Sequence, residues 1–244
     1  FDPYLGDFAS PVRGVGPKRF APPALTSRQL PPIDVLIVSH NHYDHLCADT
    51  IRHLPHKDRI NVVVPLGLGR FFRRRGYSRV HELDWHGSVT VEGITVTALP
   101  AVHWSKRTPF DRNRTLWASF AVASAQHRLW FAGDTGYGPV FESLGRDYGP
   151  FDLAMVPIGA YAPRAMMSAH HATPEEAVRI GRDMRAKHLV AMHWGTVVLT
   201  DEHPFEPPGR FQAAAAGAGL GPDRAWVMRI GETRPLPSRW PANE

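Results

Sequence analysis

The feature that most constrains this chain is a group of metal-binding side chains placed directly after an apolar run. Residues 34–39 read Asp-Val-Leu-Ile-Val-Ser, an apolar stretch with the length of a buried strand. His40, His42, Asp44 and His45 follow at once. A chain that leaves a strand through a tight loop directs such side chains at a common centre, and zinc accepts imidazole nitrogens and carboxylate oxygens as ligands. Burying all these groups without a partner would be costly, so the motif predicts a metal site.

Three residues far along the chain are expected to join this motif. His103 and His193 each follow a strand-like run, at residues 94–99 and 189–192. Asp134 stands in the sequence Gly-Asp-Thr-Gly, where the glycines allow the backbone to turn sharply and approach a metal. Each of the three, taken alone, is equally consistent with an ordinary loop residue. Their shared position after predicted strands favours one site built from all of them.

The composition is that of a folded protein, and we expect residues 1–244 to form a single domain. Hydrophobic residues make up 43% of the chain and charged residues 21%, so a buried core is expected and wholesale disorder is not. No apolar run has the length of a membrane span and no signal peptide is visible, which together favour a cytoplasmic location. The single cysteine, Cys47, excludes a disulfide framework and a cysteine-built zinc site. The net charge of +5 is a weak pointer to an anionic substrate or membrane surface.

Apolar periodicity and turn signals predict alternating strands and helices along the chain. Two sheets packed face to face, with helices outside, would bury such elements, so the expected fold class is α/β. Strands are predicted at residues 34–39, 61–64, 94–99, 116–123, 128–132, 153–156 and 189–192. Helices are predicted at residues 48–54, 68–75, 141–148, 174–185 and 208–216.

Taken together, these motifs resemble those of the metallo-β-lactamase superfamily. The resemblance rests on the order His-x-His-x-Asp-His, then His, then Asp in a Gly-Asp-Thr context, then His. More narrowly, the chain is similar to the branch that contains N-acylphosphatidylethanolamine-hydrolysing phospholipase D and its bacterial relatives. Further shared segments lie at residues 15–19, 65–68, 103–104, 133–137, 157–161, 171–177, 193–196 and 206–208. The resemblance implies an α/β, four-layer αββα sandwich that carries two Zn²⁺ ions per chain.

The resemblance also implies which residues hold the metals. One ion would be bound by His40, His42 and His103, and the other by Asp44, His45 and His193, with Asp134 bridging the two. A hydroxide between the ions would then be the nucleophile, since paired metals lower the pKa of a shared water and clamp a phosphodiester. Such a reaction needs no side-chain nucleophile.

Four residues are expected to act on the substrate. The resemblance makes Asp44 and His171 the candidates for catalysis. His171, in a His-x-x-Pro-Glu-Glu-Ala motif, would contact the substrate phosphate or protonate the leaving group, and a capping role at the start of a helix is the alternative. Tyr161 and Arg164 are expected to bind anionic groups of the substrate together with His171, with packing and surface charge as their alternatives.

Other segments are expected to act around the metals. Asn41 and Tyr43 are expected to support the metal loop from behind. Asp2 belongs to an Asp-Pro pair that, by the resemblance, lies beneath the metal centre and orients a ligand. Family members have further strands before this point, so the resemblance implies that the first strands of the fold are missing here. Arg70–Arg75 is basic and aromatic, and we favour an exposed helix face with its phenylalanines in the core over a segment that touches anionic headgroups.

The function expected from these observations is a dinuclear zinc phosphodiesterase of the phospholipase D type, acting on N-acylphosphatidylethanolamine-like lipids. Hydrolysis of a lactone, a β-lactam or a nucleic acid is the first alternative, because one fold supports many reactions. A non-catalytic anion-binding protein is the second, motivated by the net charge of +5. The expected partners are a phospholipid or small-molecule substrate and a membrane surface contacted peripherally, with no nucleic acid. A homodimer is left open.

Overall fold

The computed structural model of the chain describes residues 1–12 and 14–236. Its strands are β1 (Val35–Ile37), β2 (Asn61–Pro65), β3 (Arg79–Leu83), β4 (Ser88–Val91), β5 (Ile94–Leu99), β6 (Ser119–Ala123), β7 (Arg128–Phe131), β8 (Phe151–Pro157), β9 (Ala186–Met192) and β10 (Ala225–Trp226). Its helices are α1 (Ala48–His53), α2 (Gly69–Arg73), α3 (Val140–Tyr148), α4 (Arg164–Met167), α5 (Pro174–Asp183) and α6 (Glu206–Gly217).

The strands form two sheets of different size. Strands β1, β2 and β3 make a small sheet that is parallel throughout. The large sheet has the order β10-β9-β8-β7-β6-β5-β4. Strands β7 to β10 are parallel to one another, whereas β4 to β7 are antiparallel. The β4–β5 hairpin turns through Glu92 and Gly93, whose φ angles of 49° and 75° fit a two-residue turn of type I′.

Side-chain alternation along β2 shows how the layers are stacked. Val62 and Val64 pack in a cluster with Ile51 of α1 and Phe72 of α2. Val63, which lies between them in the sequence, packs with side chains of the large sheet instead. Because successive side chains of a strand point to opposite faces, β2 is covered on one side by helices and on the other by the large sheet. The small sheet is therefore an inner layer.

The large sheet is covered on both faces as well. Phe120 and Phe131 point into the layer between the two sheets. Trp130, next to Phe131 in β7, points the opposite way and packs with Phe141 of α3 and Phe211 of α6. The layers therefore follow the order α1 and α2, small sheet, large sheet, then α3, α5 and α6. This is the four-layer αββα sandwich that the sequence resemblance implied.

Most predicted strands and helices lie within a few residues of their expected positions, and the main differences concern strands. The first strand is shorter than the predicted residues 34–39, because only Val35–Ile37 pair with β2. The strand predicted at residues 116–123 begins at Ser119. Strands β3, β4 and β10 and the short helix α4 were not predicted. Strands β3 and β4 contain only two apolar residues each, so neither has the continuous apolar run of a buried strand.

The basic segment Arg70–Arg75 packs in the way favoured from the sequence. Phe72 is fully buried beneath α2, and Phe71 packs against the same cluster. The Arg75 guanidinium lies 3.5 Å from the centre of the Phe71 ring, which covers this ring on its outer side. None of the helices in the described part of the chain has the length and apolar character required to cross a membrane.

The strand directions bring four of the predicted metal-binding segments to one edge of the sandwich. Strands β7, β8 and β9 are parallel, and β5 runs in the same direction because two antiparallel pairings separate it from β7. The loops that contain His103, Asp134 and His193 follow β5, β7 and β9, and therefore leave the large sheet at the same edge. The loop that begins at His40 follows β1 in the facing small sheet.

The core between the sheets yields the first prediction. Phe120 has no exposed surface, so Phe120→Ala removes a buried ring and leaves a cavity between the two sheets. We expect the free energy of unfolding, measured by urea denaturation, to fall by about 3–5 kcal/mol. Phe110→Ala serves as the control, because its side chain is 84% exposed. The control should change stability by less than about 0.5 kcal/mol. Equal effects of the two substitutions would contradict the layer assignment.

Candidate metal centre

One group of four donor atoms has the dimensions of a tetrahedral metal site. His42 Nδ1 lies 2.9 Å from His40 Nε2 and 3.3 Å from His103 Nε2. Asp134 Oδ2 lies 3.9 Å from both His40 Nε2 and His103 Nε2. Zinc bonds of about 2.0–2.1 Å in tetrahedral geometry place neighbouring ligand atoms roughly 3.3 Å apart. The four residues therefore form a donor set of the right size for one zinc ion, and we call it the first half-site.

A second group of four donors lies beside the first. Asp44 Oδ2 lies 3.5 Å from His45 Nε2 and 3.3 Å from His193 Nε2. Asp134 Oδ2 lies 3.1 Å from His45 Nε2, and Asp134 Oδ1 lies 3.3 Å from His193 Nε2. These distances also match the edges of a tetrahedral site. We call this group the second half-site, and the Asp134 carboxylate is common to both.

Several buried atoms of this cluster have no hydrogen-bond partner among the described residues. They include Asp134 Oδ1, His45 Nε2 and His42 Nε2. A buried polar atom without a partner destabilises a fold, so such atoms in one place call for an explanation. Cations bound between the donors would satisfy the atoms that face the half-sites. The nitrogen and oxygen donors present here are those that zinc accepts, so the residues fit the metal that the resemblance implied.

The ionisation of the cluster suits a cation. Burial lowers the pKa of His40 and His103 well below the usual value, which keeps these imidazoles neutral, as metal ligands must be. Burial alone would raise the pKa of Asp134 and Asp44, but neighbouring histidines lower both, so both carboxylates stay charged. Burial would lower the pKa of His45, yet the nearby carboxylates raise it above the usual value. The pocket therefore concentrates negative charge that attracts protons or metal ions.

Asp2 and Ser39 set the tautomers of two ligands. The Asp2 carboxylate accepts hydrogen bonds from His45 Nδ1 at 2.5 Å and from the Ser39 hydroxyl at 2.5 Å. Since the hydroxyl proton is used there, His40 Nδ1 must donate to Ser39 Oγ, 2.9 Å away. In their neutral forms, both rings then present an unprotonated Nε2 to the half-sites. Asp2 thus lies where the resemblance implied. It orients His45 of the second half-site directly and His40 of the first half-site through Ser39.

The loop that carries these ligands is braced by a residue that the sequence did not indicate. Arg107 donates hydrogen bonds to the carbonyl oxygens of Asn41 and Leu46, both at 2.8 Å. Its guanidinium lies 4.1 Å from the centre of the Tyr43 ring, and the Tyr43 hydroxyl donates to its carbonyl oxygen. The Tyr43 side chain therefore supports the metal loop as expected, but through Arg107. Asn41 contributes its backbone carbonyl oxygen, and its side-chain Oδ1 has no hydrogen-bond partner among the described residues. The sequence predicted that Asn41 and Tyr43 support the loop, but it did not indicate Arg107 as their partner, because arginine is common in loops.

His193 adopts an unusual backbone conformation at the end of β9. Its φ of 60° is in the left-handed region, which costs energy for a residue other than glycine. Gly159, just after β8, lies against the same peptide, and a Cβ atom at this position would overlap the carbonyl oxygen of His193. The absence of a side chain at Gly159 therefore allows the backbone of His193 to take the position that directs its ring at Asp44 and Asp134.

His171 lies against both half-sites without belonging to either donor set. Its ring stacks on His193 with centroids 5.7 Å apart and meets the edge of His103 at 5.1 Å. Its Nδ1 atom is 4.0 Å from Asp134 Oδ2 and has no hydrogen-bond partner among the described residues. The side chain is thus buried at the metal centre, as expected for a residue that meets the substrate there.

Tyr161 and Arg164 have protein partners in place of the expected substrate contacts. The Tyr161 hydroxyl donates to Glu206 Oε1 at 2.9 Å, and the residue is almost fully buried. The Arg164 guanidinium is shared between Glu176 and the carbonyl oxygen of His171. These contacts favour the alternative of packing and surface charge, and substrate binding by either side chain stays a prediction.

A cavity of about 310 Å³ opens beside the second half-site. Its lining includes Asp44, His45 and His193, together with Val198 and Leu199 from the loop that follows β9. Phe1 and Asp2 also line this cavity.

A family model described as a beta-lactamase superfamily domain matches residues 1–194. The chain belongs to the metallo-β-lactamase superfamily. A superfamily protein of Mycobacterium tuberculosis described only as uncharacterized is 44% identical over 220 residues, which cover 88% of this chain and 58% of that protein. The N-acyl-phosphatidylethanolamine-hydrolyzing phospholipase D 1 of Caenorhabditis elegans is 40% identical over 218 residues, which cover 84% of this chain and 61% of that protein. The chain thus spans about three fifths of the length of these relatives.

The superfamily fold is also found in a solved structure of distant sequence. Isothiocyanate hydrolase from Delia radicum gut bacteria superposes with a TM-score of 0.72 and 16% sequence identity. The match covers 96% of this chain and 91% of that one. At this identity the likeness concerns the fold alone.

The contact between Gly159 and His193 yields the second prediction. Gly159→Ala adds a methyl group that pushes His193 away from Asp44 and Asp134, so the second half-site should lose zinc affinity by roughly 10–100-fold, the usual effect of disturbing a residue that orients a ligand. Competition with a chromophoric chelator measures this. Gly209→Ala is the matched control, because a Cβ atom at this position of α6 meets nothing within 4 Å. If Gly159→Ala binds two zinc ions as tightly as the control does, His193 does not hold a metal in this way.

Proposed function

We propose that this chain is a dinuclear zinc phosphodiesterase of the phospholipase D type. The observation that carries the proposal is the Asp134 carboxylate, which faces two tetrahedral donor sets at once. Phosphodiester hydrolysis places charge on an attacking oxygen and a leaving oxygen, and a pair of metal ions a few ångströms apart suits both. When bound, zinc would supply Lewis acidity and a nucleophile from water at neutral pH. The first half-site would be held by His40, His42 and His103, and the second by Asp44, His45 and His193.

His171 suits phosphate binding better than proton donation. Burial is the main cause that lowers its pKa to about 4, so the ring is neutral at pH 7. A neutral imidazole donates one N–H hydrogen bond and carries no proton that it can release easily. We therefore assign His171 to an N–H hydrogen bond with a phosphate oxygen of the substrate. Asp44 stays ionised, and we assign its carboxylate to orienting the attacking water.

The proposed substrate is a glycerophospholipid similar to N-acylphosphatidylethanolamine. The relative from Caenorhabditis elegans carries that substrate class in its name. Exposed apolar side chains on the segments that follow the strands at the metal edge support contact with a lipid surface. Phe110 follows β5, Met166 follows β8, and Phe205 follows β9, and these side chains are 84%, 71% and 61% exposed. We therefore propose a peripheral contact with the membrane on this side of the molecule.

The third prediction tests this function directly. Zinc-loaded protein should release phosphatidic acid from vesicles that contain N-acylphosphatidylethanolamine, and should cleave bis(4-nitrophenyl) phosphate more slowly. His42→Ala removes a donor of the first half-site and should lower the rate by roughly 1000-fold, because a catalytic metal stabilises the transition state by several kcal/mol. His53→Ala, an exposed histidine of α1, should leave the rate unchanged. Faster turnover of a lactone or a β-lactam than of either phosphodiester would contradict the proposal.

A further inference from the structure

The turn between α4 and α5 contacts both half-sites. The carbonyl oxygen of His170 accepts a hydrogen bond from His103 Nδ1 at 2.9 Å, which leaves His103 Nε2 unprotonated for the first half-site. The next residue, His171, stacks its ring on His193 of the second half-site. A shift of this turn would therefore rotate a ligand of one half-site and displace the ring that borders the other.

One side of the turn rests on the segment that carries Asp134. Ala172 donates a backbone hydrogen bond to the carbonyl oxygen of Thr135 at 2.8 Å. Gly136 lies so close that a Cβ atom there would be 2.9 Å from the carbonyl oxygen of Ser168. This backbone contact limits how closely the turn can approach the metal centre. The carbonyl oxygen of His171, which belongs to the same peptide group as the Ala172 N–H, lies on the other side of the turn.

Arg164 holds that other side. Its Nη1 donates to the carbonyl oxygen of His171 at 2.8 Å, and its Nη2 lies 3.0 Å from each carboxylate oxygen of Glu176. Glu176 is itself fixed, because its carboxylate also accepts from the backbone N–H of Thr173 in the capping box that begins α5. The guanidinium thus ties the His171 peptide to the first turn of α5.

We infer that Arg164 is a positioning residue for the metal centre, acting through the His170–His171 turn. The inference rests on the proposed function for its effect on turnover, but not for its effect on metal binding. A guanidinium holds donors in a fixed fork, so it bonds a carbonyl and a carboxylate at the same time. An ammonium group has no such fork. Arg164→Lys should therefore fail to restore the geometry although it keeps the charge.

A purely stabilising role for Arg164 would give a different outcome. The side chains of Arg164 and Glu176 are 37% and 32% exposed, and partly exposed ion pairs contribute about 0–1 kcal/mol to stability. We therefore expect the fold to remain intact when this pair is lost. The loss should instead displace His103 and His171, and small displacements of such residues have large effects on zinc binding and turnover.

The fourth prediction compares Arg164→Met and Arg164→Lys with Arg73→Met. Arg73 is the matched control, because its guanidinium also joins a carboxylate, that of Glu82, to a carbonyl oxygen, that of Val80, on the small sheet. We expect both Arg164 variants to bind zinc roughly tenfold more weakly when apoprotein is titrated against a chelator. Turnover of bis(4-nitrophenyl) phosphate should fall about 10–100-fold in kcat, with a much smaller change in KM. Arg73→Met should match the unsubstituted protein in both measurements.

The zinc titration and the turnover measurement separate this inference from the proposed function. If the unsubstituted zinc-loaded protein cleaves no phosphodiester, the proposed function fails, and the zinc titration still decides the role of Arg164. Zinc affinity and kcat of Arg164→Met equal to those of Arg73→Met would overturn the inference. An Arg164→Lys variant with full zinc affinity would overturn it as well, since the fork would then be unnecessary.

Discussion

The interaction on which this structure depends is the Asp134 carboxylate with the five histidines around it. A buried carboxylate is costly unless charged or polar partners surround it. Asp134 is 3% exposed and lies within 4.0 Å of ring nitrogens from His40, His45, His103, His171 and His193. A protonated His45 would offset part of this charge, but imidazoles that act as metal ligands are neutral and leave it unbalanced. Metal cations between the donors would balance this charge, and the contacts around the site hold the donors at the distances that such cations require.

The fold creates this space by bringing strand ends together from two sheets. The large sheet supplies His103, Asp134 and His193 from loops that leave one edge, while the small sheet supplies the loop that begins at His40. His193 adopts a strained, left-handed backbone conformation beside Gly159, and this conformation directs its ring at Asp44 and Asp134. Further contacts orient the rings of His40, His45 and His103. Because these rings belong to both half-sites, the supporting contacts connect the two donor sets.

The residues that the fold brings together as metal donors could be predicted from the sequence because their signal is local. A histidine after an apolar run can be read without knowing what lies opposite, and the helices and most strands follow from the same periodicity. The supporting contacts could not be predicted in this way. Arg107 reaches a carbonyl 66 residues away, and Tyr161 meets a glutamate 45 residues away. Such partners are set by tertiary packing, and for the same reason the protein contacts of Tyr161 and Arg164 could not be read from the sequence. Strand β3 was missed because its polar residues give no apolar pattern.

X-ray absorption at the zinc edge tests the central claim most directly. On protein saturated with zinc and freed of excess metal, the account predicts nitrogen and oxygen ligands at about 2.0–2.2 Å, with several imidazole rings among them. It also predicts a second zinc at roughly 3.5–4 Å from the first. A spectrum with sulfur ligation, or one in which saturated protein shows isolated zinc ions without a metal neighbour, would contradict a shared carboxylate between two half-sites.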